Sequence, residues 1–195
     1  MAHPASILFI ASALLLAPPT WAGRRDRNAE AAETAPSGQP EGYTQVEVVT
    51  VMPADGGATV LLADTDRELV VPMGVGGTEA LSIALRAERR RFERPLTHDL
   101  VDTVIQELGG ELTEIRIDAL RAQVFTATAT LTQGKVHKRI DLRASDAVAL
   151  ALGNGLPIWM ADPVLAETGI PWKDFLGEPP GEPELRLPDE FQPEI

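Results

Sequence analysis

Apart from an apolar run over residues 7–17, the apolar residues that could build a hydrophobic core are confined to the middle of this 195-residue chain. Residues 43–176 carry alternating and helical apolar patterns, whereas residues 23–42 and 177–195 are polar, charged and rich in turn-forming residues. Segments of that composition bury too little apolar surface to fold. We therefore expect one folded domain, residues 43–176, between a disordered linker over 23–42 and an acidic, proline-rich tail over 177–195.

The first 22 residues have the pattern of a secretory signal peptide. An apolar run covers residues 7–17, and small residues before Gly23 predict cleavage after Ala22. The run is shorter than the roughly 20 apolar residues that a membrane-spanning helix needs. We expect a secreted or periplasmic protein with no stable membrane span once the signal is removed; a buried amphipathic segment is the alternative interpretation.

The composition excludes several kinds of functional site. The chain contains no cysteine, which excludes disulfides, thiolate metal sites and a cysteine nucleophile. Its formal net charge of -12 argues against a strongly basic protein that coats nucleic acid. Function must therefore be sought in individual motifs.

Strand and helix patterns alternate along the middle segment. Strand-turn-strand patterns over residues 46–73 predict an antiparallel meander, and three further strands are predicted over 112–142. Helices are predicted from residue 78, from Thr97, from Ser145 and from Asp162. The fold class is therefore α+β, a single domain with an antiparallel or mixed sheet and three to four helices.

The helix that follows Thr97 has the clearest signals. Gly109 and Gly110 end it, and its apolar residues make one amphipathic stripe. The stripe consists of Leu100, Val101, Val104, Ile105 and Leu108.

His98 and Asp99 lie in the first turn of that helix, after Thr97, which we interpret as its N-cap. The unpaired N–H groups of a helix start attract anions such as phosphate and disfavour a protonated imidazole. A neutral His98 could accept a proton from water, with Asp99 orienting it or binding a hard cation. The alternative is structural: a well-capped helix start with His98 exposed.

A second polar motif, residues 140–148, ends a strand and begins a helix. Arg143 could bind a phosphate with its planar guanidinium, and Asp141 and Asp146 could share a divalent ion. The structural alternative makes Ser145 the N-cap, Asp146 a partner of the helix dipole, and Asp141 with Arg143 a surface ion pair.

Residues 86–94 hold five arginines and two glutamates. They could contact phosphate, but we favour a solvated helix end, where positive charge complements the helix dipole. His137 is interpreted as a surface residue, and Trp159 and Trp172 as packing residues.

Four segments together resemble the bifunctional nuclease domain family: residues 72–84, 94–100 (RPLTHDL), 140–152 (IDLRASDAVALAL) and 157–170. The resemblance covers roughly residues 44–171. It implies a compact α+β domain that self-associates as a homo-oligomer, and the family takes its name from members that degrade DNA and RNA. The recurrent polar residues of the family fall here on Glu79, Arg94, Thr97, His98, Asp99, Asp141, Arg143, Ser145 and Asp146.

The resemblance implies a nuclease that hydrolyses phosphodiester bonds of nucleic acid, with a divalent Mg or Mn ion as cofactor. The catalytic group would then be His98 with Asp99, Asp141 and Asp146, the three aspartates serving as metal ligands. The phosphate-binding group would be Arg94, Arg143, Thr97 and Ser145, with Glu79 in support. The alternative is a non-catalytic binding or assembly module of the cell envelope with the same fold.

Overall fold

The computed structural model describes residues 38–175. The signal peptide predicted for residues 1–22, the tail predicted for 177–195 and most of the linker predicted for 23–42 lie outside this part of the chain. No helix within residues 38–175 combines the length and the apolar character that crossing a bilayer requires.

The described chain forms eight strands and five helices. The strands are β1 (Tyr43–Ala54), β2 (Gly57–Asp64), β3 (Leu69–Gly76), β4 (Glu111–Arg121), β5 (Val124–Gln133), β6 (Val136–Arg143), β7 (Ile158–Ala161) and β8 (Ile170–Pro171). The helices are α1 (Gly77–Ala87), α2 (Thr97–Glu107), α3 (Ala144–Asn154), α4 (Asp162–Thr168) and α5 (Trp172–Phe175). The four-residue α5 is the helix that the sequence patterns did not predict.

All eight strands belong to one mixed sheet in the order β6-β5-β4-β7-β1-β2-β3-β8. The strands β1 to β3 form one antiparallel meander and β4 to β6 another, as the turn-separated patterns predict. The short β7 lies between the meanders, antiparallel to β1 and parallel to β4. A parallel pair needs a crossover connection, and here the chain returns from the β4–β6 meander to β7 through α3. The predicted α+β class with a mixed sheet is confirmed.

The main hydrophobic core lies between one face of the sheet and helices α1 and α3. Side chains alternate between the two faces of a strand, and this alternation places Ile115 and Ile117 of β4 with Ala127 and Ala129 of β5 in the core, where all four are buried. Helix α3 is rich in alanine and mostly buried, so its backbone can approach the sheet closely.

Helix α2 is amphipathic as predicted, but most of its apolar stripe faces outward. Such a stripe ordinarily faces the core, and Ile105 does pack against it. The other four residues, Leu100, Val101, Val104 and Leu108, are 37–69% exposed. The reason is that α2 packs against α3 and makes few contacts with the sheet, so only one side of the apolar stripe is covered by other residues.

The structure corrects two predicted helix caps. Leu96 is the N-cap of α2 and Arg143 the N-cap of α3, so Thr97 is the first residue of its helix and Ser145 the second of its own. Neither cap residue closes its helix with a side-chain hydrogen bond. At α2 a carboxylate replaces the hydroxyl: Asp99 Oδ2 accepts the N–H of Leu96 at 2.9 Å, which is the reciprocal half of a capping box.

Candidate active site

Helices α1, α2 and α3 begin at the same place on the molecule, and each contributes one polar side chain from its first turn. Glu79 is the third residue of α1, His98 the second of α2 and Asp146 the third of α3. A helix start carries partial positive charge and favours carboxylates. The two motifs that sequence analysis singled out, residues 94–100 and 140–148, thus meet in the fold.

Arg143, at the junction of β6 and α3, connects these side chains. Its Nη2 donates to Glu79 Oε1 at 2.6 Å and to Asp146 Oδ1 at 3.0 Å, and its Nε donates to Asp146 Oδ2 at 2.8 Å. His98 Nε2 lies 3.1 Å from Asp146 Oδ1. We call these four residues the Glu79–His98 network.

Both carboxylates of the network are stabilised in their charged form. The pKa of Glu79 lies below its ordinary value because its own backbone N–H and Arg143 donate hydrogen bonds to it. Burial works against ionisation of Asp146, but hydrogen bonds from Arg143 and His98 outweigh it and lower its pKa. The same bonds, to Asp146 first and then to Glu79, raise the pKa of Arg143. At neutral pH the network therefore contains two carboxylates and one guanidinium, all charged.

The contact with Asp146 fixes the orientation of the imidazole. An ionised carboxylate only accepts hydrogen bonds, so a neutral His98 carries its proton on Nε2 and keeps Nδ1 as an acceptor. The His98 side chain is 10% exposed, whereas that of Arg143 is 63% exposed. Arg143 is accordingly the group of the network most open to a ligand, and His98 is nearly buried.

Asp99 belongs to a different cluster. One of its oxygens closes the start of α2, and the other, Oδ1, accepts a hydrogen bond from Arg86 Nη2 at 2.9 Å. Neither oxygen is directed to the Glu79–His98 network, so Asp99 does not orient His98.

Arg86 is the centre of that second cluster, although sequence analysis assigned it to a solvated stretch. Its side chain is only 8% exposed. It pairs with Asp99 and with Asp102 Oδ2 at 2.8 Å, and its Nη1 donates to the carbonyl of Ala149 in α3 at 3.0 Å. A Cβ at position 153 of α3 would collide with Nη1, so the glycine found there makes room for the guanidinium.

Helical spacing is the signal that would have identified Arg86. It follows Glu79 by seven positions and Ser82 by four, so all three lie on one face of α1. Ser82 is buried, and that face is therefore turned towards the protein.

Within residues 38–175, none of the remaining predicted residues forms a hydrogen bond or ion pair with the network. Asp141 of β6 is exposed and pairs with Thr128 of β5, on the sheet face opposite to the helices, because the alternate residues of β5 form the core. Arg94 and Thr97 are exposed in and after the loop that joins α1 to α2, and Ser145 is partly buried near the start of α3.

The three aspartates that were expected to share a metal ion do not form one group. Asp146 is bonded to His98 and Arg143, Asp99 to Arg86 and Leu96, and Asp141 lies on the other sheet face. Within residues 38–175, no three acidic or histidine side chains are placed to hold a metal ion. A divalent ion needs several carboxylate oxygens within about 2–3 Å, and Asp99 and Asp146 are bonded to other partners, so the joint metal-binding role of the three aspartates stays a prediction.

Comparison with known proteins gives two findings. The family model described as the bifunctional nuclease domain matches residues 60–173. Two curated relatives, the uncharacterized proteins MT1877 and Rv1829 from two strains of Mycobacterium tuberculosis, are each 33% identical to the chain over 129 residues, which is 66% of this chain and 77% of theirs. The matched region includes the Glu79–His98 network and the Arg86 cluster.

Proposed function

Because the chain belongs to the bifunctional nuclease domain family, we propose that it is a nuclease that hydrolyses phosphodiester bonds of DNA, RNA or both. One observation carries the proposal: His98 and Asp146, 48 residues apart in sequence, are in hydrogen-bond contact beside an exposed arginine. A histidine held by a carboxylate is a suitable general base, and a guanidinium is a suitable phosphate ligand.

Each group has a role in the proposed reaction. Nε and Nη2 of Arg143 hold the two carboxylates, and its Nη1 is the nitrogen left to donate to a phosphate oxygen. His98 takes a proton from water through Nδ1 as the water oxygen attacks phosphorus, and the bond to the leaving oxygen breaks. Asp146 keeps the imidazole in the correct tautomer, and Glu79 keeps Arg143 at the site.

The test is cleavage by the purified full chain of supercoiled plasmid and of a single-stranded RNA, each with Mg²⁺, with Mn²⁺ and with EDTA. We expect cleavage that falls at least about 100-fold in His98→Ala, the typical contribution of general base catalysis. Arg143→Gln should reduce it through weaker substrate binding. Arg121→Gln, an exposed arginine outside the network, is the matched control and should retain full activity.

The contrary outcomes are equally specific. No cleavage of either substrate under any of the three metal conditions contradicts the proposal. Cleavage that survives His98→Ala assigns the activity to a contaminant or to another part of the chain. Dependence on Mg²⁺ or Mn²⁺ with loss in EDTA supports a metal cofactor whose ligands differ from the three expected aspartates.

One observation favours the alternative, a non-catalytic assembly module. Both carboxylates of the Glu79–His98 network accept hydrogen bonds from Arg143, and Asp146 also contacts His98. These contacts also join the three helices. Under this alternative, His98→Ala and Asp146→Asn lower thermal stability, and the unmodified chain has no cleavage activity. Thermal melts measured beside the cleavage assays therefore separate the two functions.

We propose further that the protein is exported. The proposal depends on the apolar run over residues 7–17 and the small residues before Gly23. Mass spectrometry of the protein recovered from a secretion-competent host should give a mature chain that begins at Gly23. A chain that keeps residues 1–22 in the soluble cell extract contradicts export.

A further inference from the structure

The segment that joins α1 to α2 is a closed surface loop. Arg86, near the end of α1, pairs with Asp99 in the first turn of α2 at 2.9 Å, so the two ends of the segment are held together. The backbone N–H of Arg90 also donates to the carbonyl of Leu85 in α1. Every residue from 89 to 95 is exposed. We call these seven residues the arginine loop; compact surface loops whose ends lie close together are frequently functional.

The arginine loop is a local cationic surface. Its sequence, RRRFERP, contains four arginines and one glutamate, whereas the whole chain has a net charge of -12. Helix α1 ends at Ala87, so these arginines lie beyond the helix end to which sequence analysis assigned them. Arg90 contacts Glu88 at 3.3 Å, but within the part of the chain that the structure describes Arg91 and Arg94 form no ion pair. Their guanidinium groups are therefore available to an anionic ligand.

Phe92 is the middle residue of the arginine loop and is 39% exposed. Neither hydrophobic cluster of the described residues includes it, so its ring has no part in the core. An aromatic ring among arginines is typical of surfaces that bind unpaired nucleic acid, because the ring stacks on a base and the guanidinium groups bind phosphates. The combination therefore indicates a ligand that has both exposed bases and phosphates.

The arginine loop lies close to the candidate active site. Arg94 precedes His98 by four positions and Phe92 precedes it by six, so their Cα atoms lie at most about 14 Å and about 22 Å from that of His98. A nucleic-acid strand whose scissile phosphate lies at Arg143 can therefore continue onto the loop.

We propose that the arginine loop selects single-stranded nucleic acid, with Phe92 stacked on an unpaired base and Arg94 bound to a phosphate of the same strand. The inference rests on the proposed nuclease function and adds to it the class of substrate. The Glu79–His98 network carries out the hydrolysis, and the loop determines which nucleic acid is held there.

Two physical reasons favour a single strand over a duplex. Within a duplex, neighbouring base pairs cover both faces of each base, so a phenyl ring can reach a base only after a base step has been unstacked, which costs free energy. A duplex also carries twice the phosphate charge per unit length of one strand. A chain with a net charge of -12 repels a duplex more strongly, and one short loop offers few cations to offset that repulsion.

The test measures binding by the full chain and does not require cleavage. A labelled oligonucleotide is used both as a single strand and as a duplex with its complement, in EDTA, and a gel verifies that it stays intact. Fluorescence anisotropy gives the two dissociation constants. We expect the single strand to bind at least about tenfold more tightly than the duplex, because only the single strand leaves its bases free to stack.

Substitutions at Phe92 test the role of its ring. Phe92→Ala should weaken binding of the single strand about tenfold, the typical effect of losing one stacked base, and leave duplex binding unchanged. Phe92→Trp should retain tight binding, since indole also stacks on bases. Phe175→Ala is the matched control: this phenylalanine is 37% exposed and lies outside the loop, so the change should leave both affinities unaltered.

Three results would overturn the inference: no binding of the single strand, equal affinity for the two forms, or single-strand binding that is unchanged in Phe92→Ala. Weaker duplex binding in Phe92→Ala would also overturn it, because the ring would then insert between base pairs. Failure of the proposed nuclease function is seen separately, as absence of cleavage in the plasmid and RNA assays, while selective binding of the single strand persists.

Discussion

Two arginines join the three central helices, each through a different set of partners. Arg143 is mostly exposed and binds carboxylates at the starts of α1 and α3, whereas Arg86 is buried and binds two aspartates of α2 and a carbonyl of α3. Removing one partner of a buried ion pair is costly, since it leaves an uncompensated charge. Because Arg143 is in contact with solvent, its ion pairs contribute less to folding. We infer that Arg86 has mainly a structural role and that Arg143 is free to serve a ligand.

Gly153→Ala tests the structural role of Arg86. The added Cβ would collide with the guanidinium and displace it from Asp99 and Asp102. We expect the free energy of unfolding to fall by about 2–4 kcal/mol: disruption of a buried ion pair costs about 3–5 kcal/mol, and alanine recovers about 1 kcal/mol over glycine within a helix. The measurement is urea unfolding. Gly74→Ala, at a position with open space around it, is the control and should change stability by less than about 0.5 kcal/mol.

The pH dependence of stability tests the charges of the Glu79–His98 network. The folded-state pKa values of Glu79 and Asp146 are lowered, so the unfolded chain binds more protons than the folded chain in the acidic range. The stability they contribute is present above the ordinary carboxylate pKa, about 4, and is lost as pH falls through the lowered values. Measured by urea unfolding, the free energy of unfolding of Arg143→Met should therefore fall less steeply below about pH 5 than that of the unmodified chain. Parallel curves for the two proteins would contradict the network.

Much of the site's composition could be predicted from sequence, but not its pairings. The two motifs contain His98, Arg143 and Asp146, which do meet. Asp99 and Asp141 come from the same motifs and do not join them, because neighbouring residues on a helix or strand point in different directions. Which carboxylate faces which cation depends on how the three helices pack against one another. That packing is determined by contacts between residues that are distant in the sequence.

At the scale of elements, α2 shows what an amphipathic pattern determines. Its periodicity gives the residues that share a face, and its boundaries follow from Thr97 and the two glycines at 109 and 110. The pattern does not say what that face contacts, because a core and an intermolecular interface select the same apolar residues. Here Ile105 contacts the core and its apolar neighbours are exposed.

Matched substitutions on α2 separate these two environments. Ile105→Ala should lower the free energy of unfolding by about 2 kcal/mol, near the lower end for loss of a packed aliphatic side chain. Leu100→Ser, on the exposed side, should cost less than about 0.5 kcal/mol. Chemical denaturation at a single protein concentration gives both values. Equal costs at the two positions would show that the stripe is buried as a whole.

At the scale of the molecule, the position of β7 brings the site together. Turn signals predict both meanders, but no local signal predicts that β7 lies between them, since its pairs with β1 and β4 connect residues more than 40 positions apart. That insertion joins the two meanders into one sheet, and α1 and α3 therefore pack side by side on a single face. The convergence of three helix starts is a property of this topology and could not be read from any one segment.

The charge of the whole molecule predicts how the proposed nuclease binds its substrate. A chain with a net charge of -12 repels nucleic acid at long range, so binding must depend on a few local cations. If Arg143 and Arg94 contact phosphates, the logarithm of the association constant should fall against the logarithm of salt concentration with a slope of about -2. Arg143→Gln should reduce that slope to about -1, whereas Arg121→Gln should leave it unchanged. The measurement is fluorescence anisotropy of a labelled oligonucleotide between low and physiological salt. A slope that does not respond to Arg143→Gln would place the bound nucleic acid away from the Glu79–His98 network.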